Sequence, residues 1–373
     1  MSSPPSEPLW SAPVALTAAE TAVATPAIGV SHSGVVHVLY TRGPDIYHRM
    51  CAADAWSDPM RVAAGQSPTL VVVGETVHAV YAKSFGGNDE IYYVNWQDGR
   101  WSLPRNLSFT TGPSTLPQIA SAPDGTLHVA WADTTPGYSV IYHGQQRDTY
   151  WVNRPLPGGR GSAPCLAVDD RGTVHIAWQD RDSGEGTFEI YYVRGDGRSW
   201  TLPQNLSASP DSHSLAPQVA VAPGGVVHVA WQEDHQGHNQ IYATHTVGDR
   251  WTVPTALTPP EMNARQPRIA FTSQGVLHLA WIEGNQVCHR YFAPDGSPKP
   301  VEVLAGGAQG VSDPALALTP GTWEAHLLWL DTVPGGRILY YARRLPALRF
   351  RIYIPRVLVN RSATPQTSPG ASA

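Results

Sequence analysis

One pattern of apolar and polar residues recurs seven times along this chain. A strand opened by proline leads through a Gly-centred turn to an apolar strand with one histidine near its start and Trp or Tyr at its end, as in Leu127-His128-Val129-Ala130-Trp131. The seven histidines are His37, His78, His128, His175, His228, His278 and His326. Their spacing, from 41 residues (His37 to His78) to 53 (His175 to His228), is typical of β-propeller repeats with several strands per unit. The pattern predicts an all-β, seven-bladed β-propeller.

Most units supply two further strands, one marked by Ile-Tyr and one that begins with Trp and reaches Pro three residues later. The sixth unit lacks that Trp and reads Pro298-KPVEVL instead. The seventh unit has no Trp strand, but Trp10-SAPVAL at the N-terminus matches that pattern. Because an open array would leave strand edges exposed, we expect the N-terminal strand to close the last blade. We assign residues 1–345 to the propeller and residues 346–373 to a basic, then Ser/Thr/Pro-rich C-terminal tail.

Composition and charge narrow the choice of partners. The net charge of −5 gives no reason to expect nucleic acid or an anionic membrane as a partner, and no apolar stretch approaches the ~20 residues of a membrane-spanning helix. The three cysteines form no C-x-x-C pair, so we expect neither a metal nor a cofactor. We also expect the protein to be a monomer. The segment MSSPPSEPLW lacks the plan of a signal peptide, which predicts a cytosolic protein or a leader outside this numbering.

The seven histidines raise the question of a metal site. They stand at one position on seven different blades, so they cannot converge in the coordination shell that a metal requires. We expect each imidazole instead to hydrogen-bond the backbone of a neighbouring strand.

A short acidic turn leads into the Trp strand in several units, as in Asp98-GR-Trp101 and Asp196-GRS-Trp200. With the following W-x-x-P, these turns resemble degenerate, shortened copies of the Asp-box, or bacterial neuraminidase repeat, of sialidase-like propellers. The resemblance implies a sialidase-like fold, a secreted bacterial protein at an extracellular or cell-surface location, and turns on the face opposite the active site. A cytoplasmic location stays open.

Acidic residues follow the histidine strand in five units, two residues after the Trp: Asp133, Asp180, Glu233, Glu283 and Asp331. Carboxylates at such positions either cap turns or line a binding site for a sugar, polyol or cation at the mouth of the channel. The loops after these strands vary most in length, and variable loops on a constant scaffold carry specificity. We therefore predict a ligand surface formed by Tyr138, Asp180, Arg181, Phe188, Glu189, Glu233 and Asp234.

Three functions are compatible with this surface. The first is a non-catalytic, lectin-like module that recognises carbohydrate or protein, and we assign no catalytic residue under it. The second is a sialidase-like glycoside hydrolase, for which Arg42, Arg160 and Arg265 are the candidates to bind a sialic-acid carboxylate. The third is a structural surface protein without a small ligand.

Overall fold

The computed structural model describes residues 10–20, 22–181, 186–235, 237–307 and 309–344. Its strands form seven antiparallel sheets, each with four or five strands, which we number as blades 1 to 7 in the order of their innermost strands. The C-terminal tail expected over 346–373 lies outside the described residues.

The innermost strands, in blade order, are β2 (Val23–Val30), β7 (Gln66–Val73), β12 (Ser114–Ser121), β16 (Ser162–Val168), β20 (His213–Val221), β25 (Ala264–Phe271) and β29 (Val311–Leu318). The second strands are β3 (Val36–Arg42), β8 (Thr76–Phe85), β13 (Leu127–Asp133), β17 (Val174–Arg181), β21 (Val227–His235), β26 (Leu277–Glu283) and β30 (Ala325–Val333). Each innermost strand contacts the innermost strands of both neighbouring blades, so the seven close into a ring around a central channel.

The third strands are β4 (Asp45–Ala52), β9 (Asn88–Gln97), β14 (Val140–Arg147), β18 (Phe188–Gly195), β22 (His238–Val247), β27 (Gln286–Phe292) and β31 (Gly336–Arg344). The outer strands are β5 (Ala55–Trp56) and β6 (Met60–Ala64) of blade 1, β10 (Arg100–Trp101) and β11 (Arg105–Asn106) of blade 2, β15 (Tyr150–Arg160) of blade 3, β19 (Gln204–Asn205) of blade 4, β23 (Arg250–Trp251) and β24 (Thr255–Ala256) of blade 5, and β28 (Glu302–Gly306) of blade 6.

The N-terminal strand closes the ring, as predicted. Strand β1 (Val14–Ala15) pairs with β31 of blade 7, with Val14 opposite Tyr341 and Ala15 opposite Tyr340. Trp10 extends the contact, because its indole Nε1 donates to Glu302 Oε2 of blade 6 at 2.9 Å. Leu16, only 3% exposed, fills the apolar layer between blades 7 and 1.

The repeated aromatic residue fills the space between blades. Trp131, Trp178, Trp231, Trp281 and Trp329 are fully buried, and Tyr40 and Tyr81 take the same position in blades 1 and 2. Most of these rings stack on a tyrosine of the adjacent third strand, as Trp131 does on Tyr142 at 5.6 Å between centroids. Because both faces of every blade pack on another blade, the second strands are apolar on both sides.

A bulge recurs near the start of each innermost strand. The residue before the strand's proline has a positive φ, between 45° and 54°, in all seven blades, and the strand register shifts there. These residues are Thr25, Ser67, Leu116, Ala163, Ala216, Gln266 and Asp313. A bulge of this kind bends the strand and re-aims its backbone. The bulges of blades 5 and 7 are held by the preceding blade, because Ala216 N donates to Gln179 Oε1 and Asp313 N donates to Gln266 Oε1.

Candidate functional site on the mouth face

The hairpins between the second and third strands all lie on one face of the propeller, which we call the mouth face. The same face carries the connections from each outer strand to the next blade. In blade 1 only Gly43 and Pro44 separate the two strands, whereas in blade 3 six residues, 134–139, form the hairpin. The blade 4 hairpin includes residues 182–185, which lie outside the described part of the chain. The variation in loop length is therefore concentrated where the ligand surface was predicted.

The first element of the candidate site is a tyrosine beneath an arginine in blade 3. Tyr138 is 48% exposed, and the guanidinium of Arg160 lies 4.7 Å from its ring centroid. The hairpin is fixed at this point because Gly161 N donates to Ser139 O at 3.0 Å and Ser139 Oγ donates to Gly161 O at 2.5 Å. The carbonyl of Arg160 also accepts the indole N–H of Trp178, which joins the unit to blade 4.

The second element is another ring–guanidinium pair, in blade 4, built from the end of β17 and the start of β18. The guanidinium of Arg181 lies 4.4 Å from the ring centroid of Phe188, and the two residues are opposite each other in the β17–β18 register. His213, at the start of the innermost strand of blade 5, contacts the Phe188 ring at 5.9 Å and accepts the Phe188 backbone N–H at 3.0 Å. His213 was not among the predicted ligand residues, although it is a histidine outside the repeated position.

Backbone connections bring these two elements into one surface. Gly161, next to Arg160, packs so closely on blade 4 that a Cβ there would lie 3.0 Å from the Cβ of Asp180. On the other side, Asp234 is opposite His213 in the β20–β21 register. Its carboxylate caps the blade 5 hairpin by accepting Gly237 N at 2.7 Å. Tyr138, Asp180, Arg181, Phe188 and Asp234 thus lie along one arc of the mouth face, over blades 3 to 5. We call this arc the mouth patch.

Two of the predicted ligand residues do not face solvent. Glu233 is 1% exposed and accepts hydrogen bonds from Ser214 Oγ at 2.7 Å, from Trp231 Nε1 at 2.6 Å and from Ser212 Oγ. Glu189 is 6% exposed and accepts Ser209 N at 3.0 Å and Ser207 Oγ. Because these carboxylates are buried and saturated with donors from the protein, a ligand-contacting role for Glu189 and Glu233 does not fit the structure.

The other acids of the predicted ring differ from one another. Asp133 is fully buried and accepts Ser114 Oγ and Thr110 Oγ1, each at 2.7 Å, which is the turn-capping role. In blade 7 the residue opposite Asp331 is Val311 rather than serine. Burial there raises the pKa of Asp331. The ring of acids is therefore not one functional feature.

The repeated histidines are part of the scaffold, but their partners are side chains and not the backbone that we had expected. In six blades the Nδ1 atom hydrogen-bonds a His or Tyr of the third strand: His37–His48 (3.1 Å), His78–Tyr93 (2.7 Å), His128–His143 (3.0 Å), His175–Tyr192 (2.7 Å), His278–His289 (3.0 Å) and His326–Tyr341 (2.8 Å). Backbone groups in a central strand are already used in the ladder, so a buried imidazole needs a side-chain partner. In blade 5 the equivalent position is Ala243, and His228 instead stacks on His245 at 5.0 Å.

The three arginines proposed for a sialic-acid carboxylate are engaged separately. Arg42 pairs with Glu20 at 2.5 Å, Arg160 covers Tyr138, and Arg265 Nη2 donates to Val311 O at 3.3 Å. No two of them share a partner among these contacts. Within the described residues no group of three or more His, Cys, Asp or Glu side chains could hold a metal ion. No helix in that part of the chain is long and apolar enough to cross a membrane.

Surface cavities lie on both faces. One of about 300 Å³ lies on the mouth face between blades 1 and 2, lined by Pro44, Gln66 and Lys83 among others. A larger one, of about 430 Å³, lies on the opposite face against Arg194 and Trp200. The larger cavity is bordered by a turn and a Trp that most blades repeat, and Arg194 there pairs with Asp249 at 3.1 Å. We therefore place the candidate site on the mouth face, where the side chains are not explained by the repeat.

No protein-family model matches the sequence, and no curated protein is similar to it in sequence. Solved structures are similar in fold. A protein of unknown function from Dyadobacter fermentans is 14% identical and superposes with a TM-score of 0.58 over 91% of this chain and 100% of its own. A PL25 ulvan lyase bound to -[GlcA(1-4)Rha3S]- is 13% identical, with a TM-score of 0.62 over 86% and 94%. The intramolecular trans-sialidase from Ruminococcus gnavus is 10% identical, with a TM-score of 0.51 over 75% and 96%. These likenesses support a sialidase-like propeller fold.

Proposed function

We propose that the protein is a carbohydrate-recognition propeller that binds a glycan at the mouth patch. The observation that carries the proposal is the pair of ring–guanidinium units, Tyr138 with Arg160 and Phe188 with Arg181. The repeated scaffold uses neither unit. Tyr138 lies in the blade 3 hairpin, Arg181 and Phe188 border the blade 4 hairpin, and the two units are joined through Gly161 and Trp178.

The chemistry of the patch suits a sugar. An aromatic ring offers an apolar face to the C–H groups of a pyranose, and a guanidinium presents several N–H donors to hydroxyl or carboxylate oxygens. Because each arginine is already stacked on its ring, little side-chain freedom remains to be lost on binding. Asp180 and Asp234 add acceptors at the same arc of the mouth face.

The burial of two predicted carboxylates, Glu189 and Glu233, favours recognition of a glycan over its hydrolysis. A glycosidase needs a pair of carboxyl groups with space for the sugar between them. Glu189 and Glu233 are buried and accept hydrogen bonds from serine side chains, so these two predicted carboxylates do not form such a pair. Solved structures of similar fold include carbohydrate-active enzymes, which supports carbohydrate as the class of ligand.

The test begins with a glycan array and continues with titration calorimetry on the best ligand. Replacing both rings, Tyr138→Ala with Phe188→Ala, should weaken binding by roughly a hundredfold, about 1.4 kcal/mol per ring. The matched control is Phe85→Ala, which removes another mouth-face phenylalanine, 71% exposed, from the blade 2 hairpin. It should leave the affinity unchanged.

Unchanged affinity in the double variant would contradict the mouth patch. Binding of proteins but of no glycan would favour the protein-recognition alternative. A panel of fluorogenic glycosides tests catalysis, and turnover abolished by Asp180→Asn would favour the glycosidase instead.

A further inference from the structure

The mouth-face cavity between blades 1 and 2 lies beside a short hairpin. In blade 1 residues 41–46 separate Tyr40 from its register partner Tyr47, whereas in blade 2 residues 82–91 separate Tyr81 from Tyr92. The cavity, of about 300 Å³, is walled mainly by small residues: Gly43, Pro44, Ala64, Gly65 and Ala82. The charged residue of its lining is Lys83, and we call this space the Lys83 cavity. Small-molecule sites range upward from about 300 Å³, so the volume suits a ligand of the size of one sugar.

Lys83 reverses the charge that most blades carry at its position. Two residues after the aromatic residue of the second strand, blades 3 to 7 have an acid: Asp133, Asp180, Glu233, Glu283 and Asp331. Blades 1 and 2 have Arg42 and Lys83 instead. The repeated scaffold therefore does not account for the lysine.

The side chain of Lys83 lies on the face of blade 2 that meets blade 1. Tyr81, two residues earlier in β8, stacks on Tyr92 and belongs to the apolar layer between these two blades. Residues two apart in a strand share a face, so Lys83 is directed to the same layer as Tyr81. Its ammonium lies 5.2 Å from the centroid of the Tyr92 ring. The ring covers one side of the ammonium, and the cavity lies at the mouth end of the same layer.

The charge of Lys83 has no ion pair in the protein. Glu90 is opposite Lys83 in the β8–β9 register, but its buried carboxylate accepts Ser108 Oγ and, at 2.9 Å, Asn88 Nδ2. Among the residues that the structure describes, no carboxylate oxygen lies within 4.0 Å of Lys83 Nζ. Arg42, at the same position of blade 1, provides the contrast, because it pairs with Glu20 at 2.5 Å.

We propose that the Lys83 cavity binds the carboxylate of a small organic acid, of the size of one sugar acid, on the ammonium of Lys83. An ammonium offers only donors and a carboxylate only acceptors, and hydrogen bonds between such charged groups are stronger than those between neutral ones. Gln66, exposed in the same lining, adds a side-chain amide for the hydroxyl groups of the ligand. The site is separate from the mouth patch, which lies over blades 3 to 5.

The lysine content of the chain makes a direct test possible. Lys83 and Lys299 are its two lysines, and Lys299 lies between β27 and β28 of blade 6, on the opposite face. Reductive methylation with isotope-labelled formaldehyde marks both side chains for NMR and keeps their charge. Titration with sodium glucuronate at constant ionic strength should shift the Lys83 signal along a saturable, one-site curve. The Lys299 signal, as internal control, should not move.

Calorimetry on unmodified protein provides the second readout. The titrations are made in the Tyr138→Ala, Phe188→Ala background, which removes the rings of the mouth patch, so failure of one proposal is not mistaken for failure of the other. Adding Lys83→Met keeps most of the side-chain volume and should weaken glucuronate binding at least about tenfold, as expected for losing a hydrogen bond to a charged group. Adding Lys299→Met removes the same charge elsewhere and should leave the affinity unchanged.

Two further probes test the chemistry of the ligand. Glucose lacks the carboxylate and should not shift the Lys83 signal. Sodium lactate identifies the source of the carboxylate: binding as tight as that of glucuronate indicates a small hydroxy acid, and weaker binding indicates a sugar acid. Either result supports the site. Equal shifts of both lysine signals, a shift with glucose as large as with glucuronate, no saturation with either acid, or unchanged affinity in Lys83→Met would overturn the proposal.

Discussion

Acidification from pH 7 to pH 5 should unfold this propeller, because its buried histidines cannot accept protons in the folded state. His37, His128 and His326 are each at most 4% exposed, and burial lowers the pKa of each to about 4. The pKa of His278 is lowered by burial to about 3. In the unfolded chain a histidine has a pKa near 6.5.

The sign of the effect follows from proton counts. Between about pH 4 and 6.5 the unfolded chain binds protons that the folded chain excludes, so stability falls as the pH falls through this window. Above the unfolded pKa both states are neutral and these histidines contribute no pH dependence. Each one destabilises the fold by about 2 kcal/mol at pH 5, given pKa values of 6.5 and about 4.

The total is large compared with the stability of a domain. Together, His37, His128, His278 and His326 lower the free energy of unfolding by about 8 kcal/mol at pH 5. Folded domains have a total free energy of unfolding of about 5–15 kcal/mol. We therefore expect the midpoint of acid unfolding between about pH 5 and 6. Tryptophan fluorescence as a function of pH measures it, because the blade tryptophans are buried.

The structure provides a matched variant. His143→Tyr converts the His128–His143 pair of blade 3 into the His–Tyr pair that blades 2, 4 and 7 already use. Burial lowers the pKa of His143 to about 3, so its removal should recover about 2 kcal/mol at pH 5. It should change stability little at pH 8. A wild-type midpoint below pH 4, or a pH profile unchanged by His143→Tyr, would refute the reasoning.

Two further predictions concern the scaffold. Deleting residues 1–17 removes β1 and Leu16 and should lower the free energy of unfolding by about 2–5 kcal/mol. Deleting only residues 1–9 is the control and should leave this free energy unchanged. Equal melting temperatures for the two truncated proteins would contradict closure by β1. Glu233→Ala should destabilise by at least about 2 kcal/mol, because Ser212, Ser214 and Trp231 lose their acceptor. The neighbouring Asp234→Ala removes one exposed hairpin hydrogen bond and should cost no more than about 1 kcal/mol. Urea denaturation measures both, and similar losses would show that Glu233 is not the buried cap described above.

The sequence was sufficient to predict the fold because the repeat records it several times over. A strand buried between two blades must be apolar on both faces, which makes the second strands recognisable. The outer strand missing from the seventh unit has its matching copy at the N-terminus, so the N-terminal strand was expected to close the ring. The partner of the repeated histidine could also have been found. In five blades it is the His or Tyr directly after the Ile-Tyr or Leu-Tyr that marks the third strand, as in Ile141-Tyr142-His143.

The candidate site was harder to predict because burial depends on residues far away in the chain. Glu189 and Asp180 both belong to an acidic hairpin, yet Glu189 is buried by serines near residue 207. Glu233 and Asp234 are adjacent, but only Glu233 faces Ser212 and Ser214, about twenty residues upstream. Residue type alone cannot separate an acid that caps a turn from one that meets a ligand.

In a repeat fold, the best candidates for functional residues are those that the repeated scaffold does not require. The blades need their histidines, tryptophans and buried glutamates, which pack or hydrogen-bond within their own blade or against the next one. Tyr138 and Phe188 occupy positions where other blades have different residues, and no hydrogen bond of their side chains is part of the repeated scaffold. A seven-bladed ring would close without them. For that reason the mouth patch is where substitutions should change binding while leaving the fold intact.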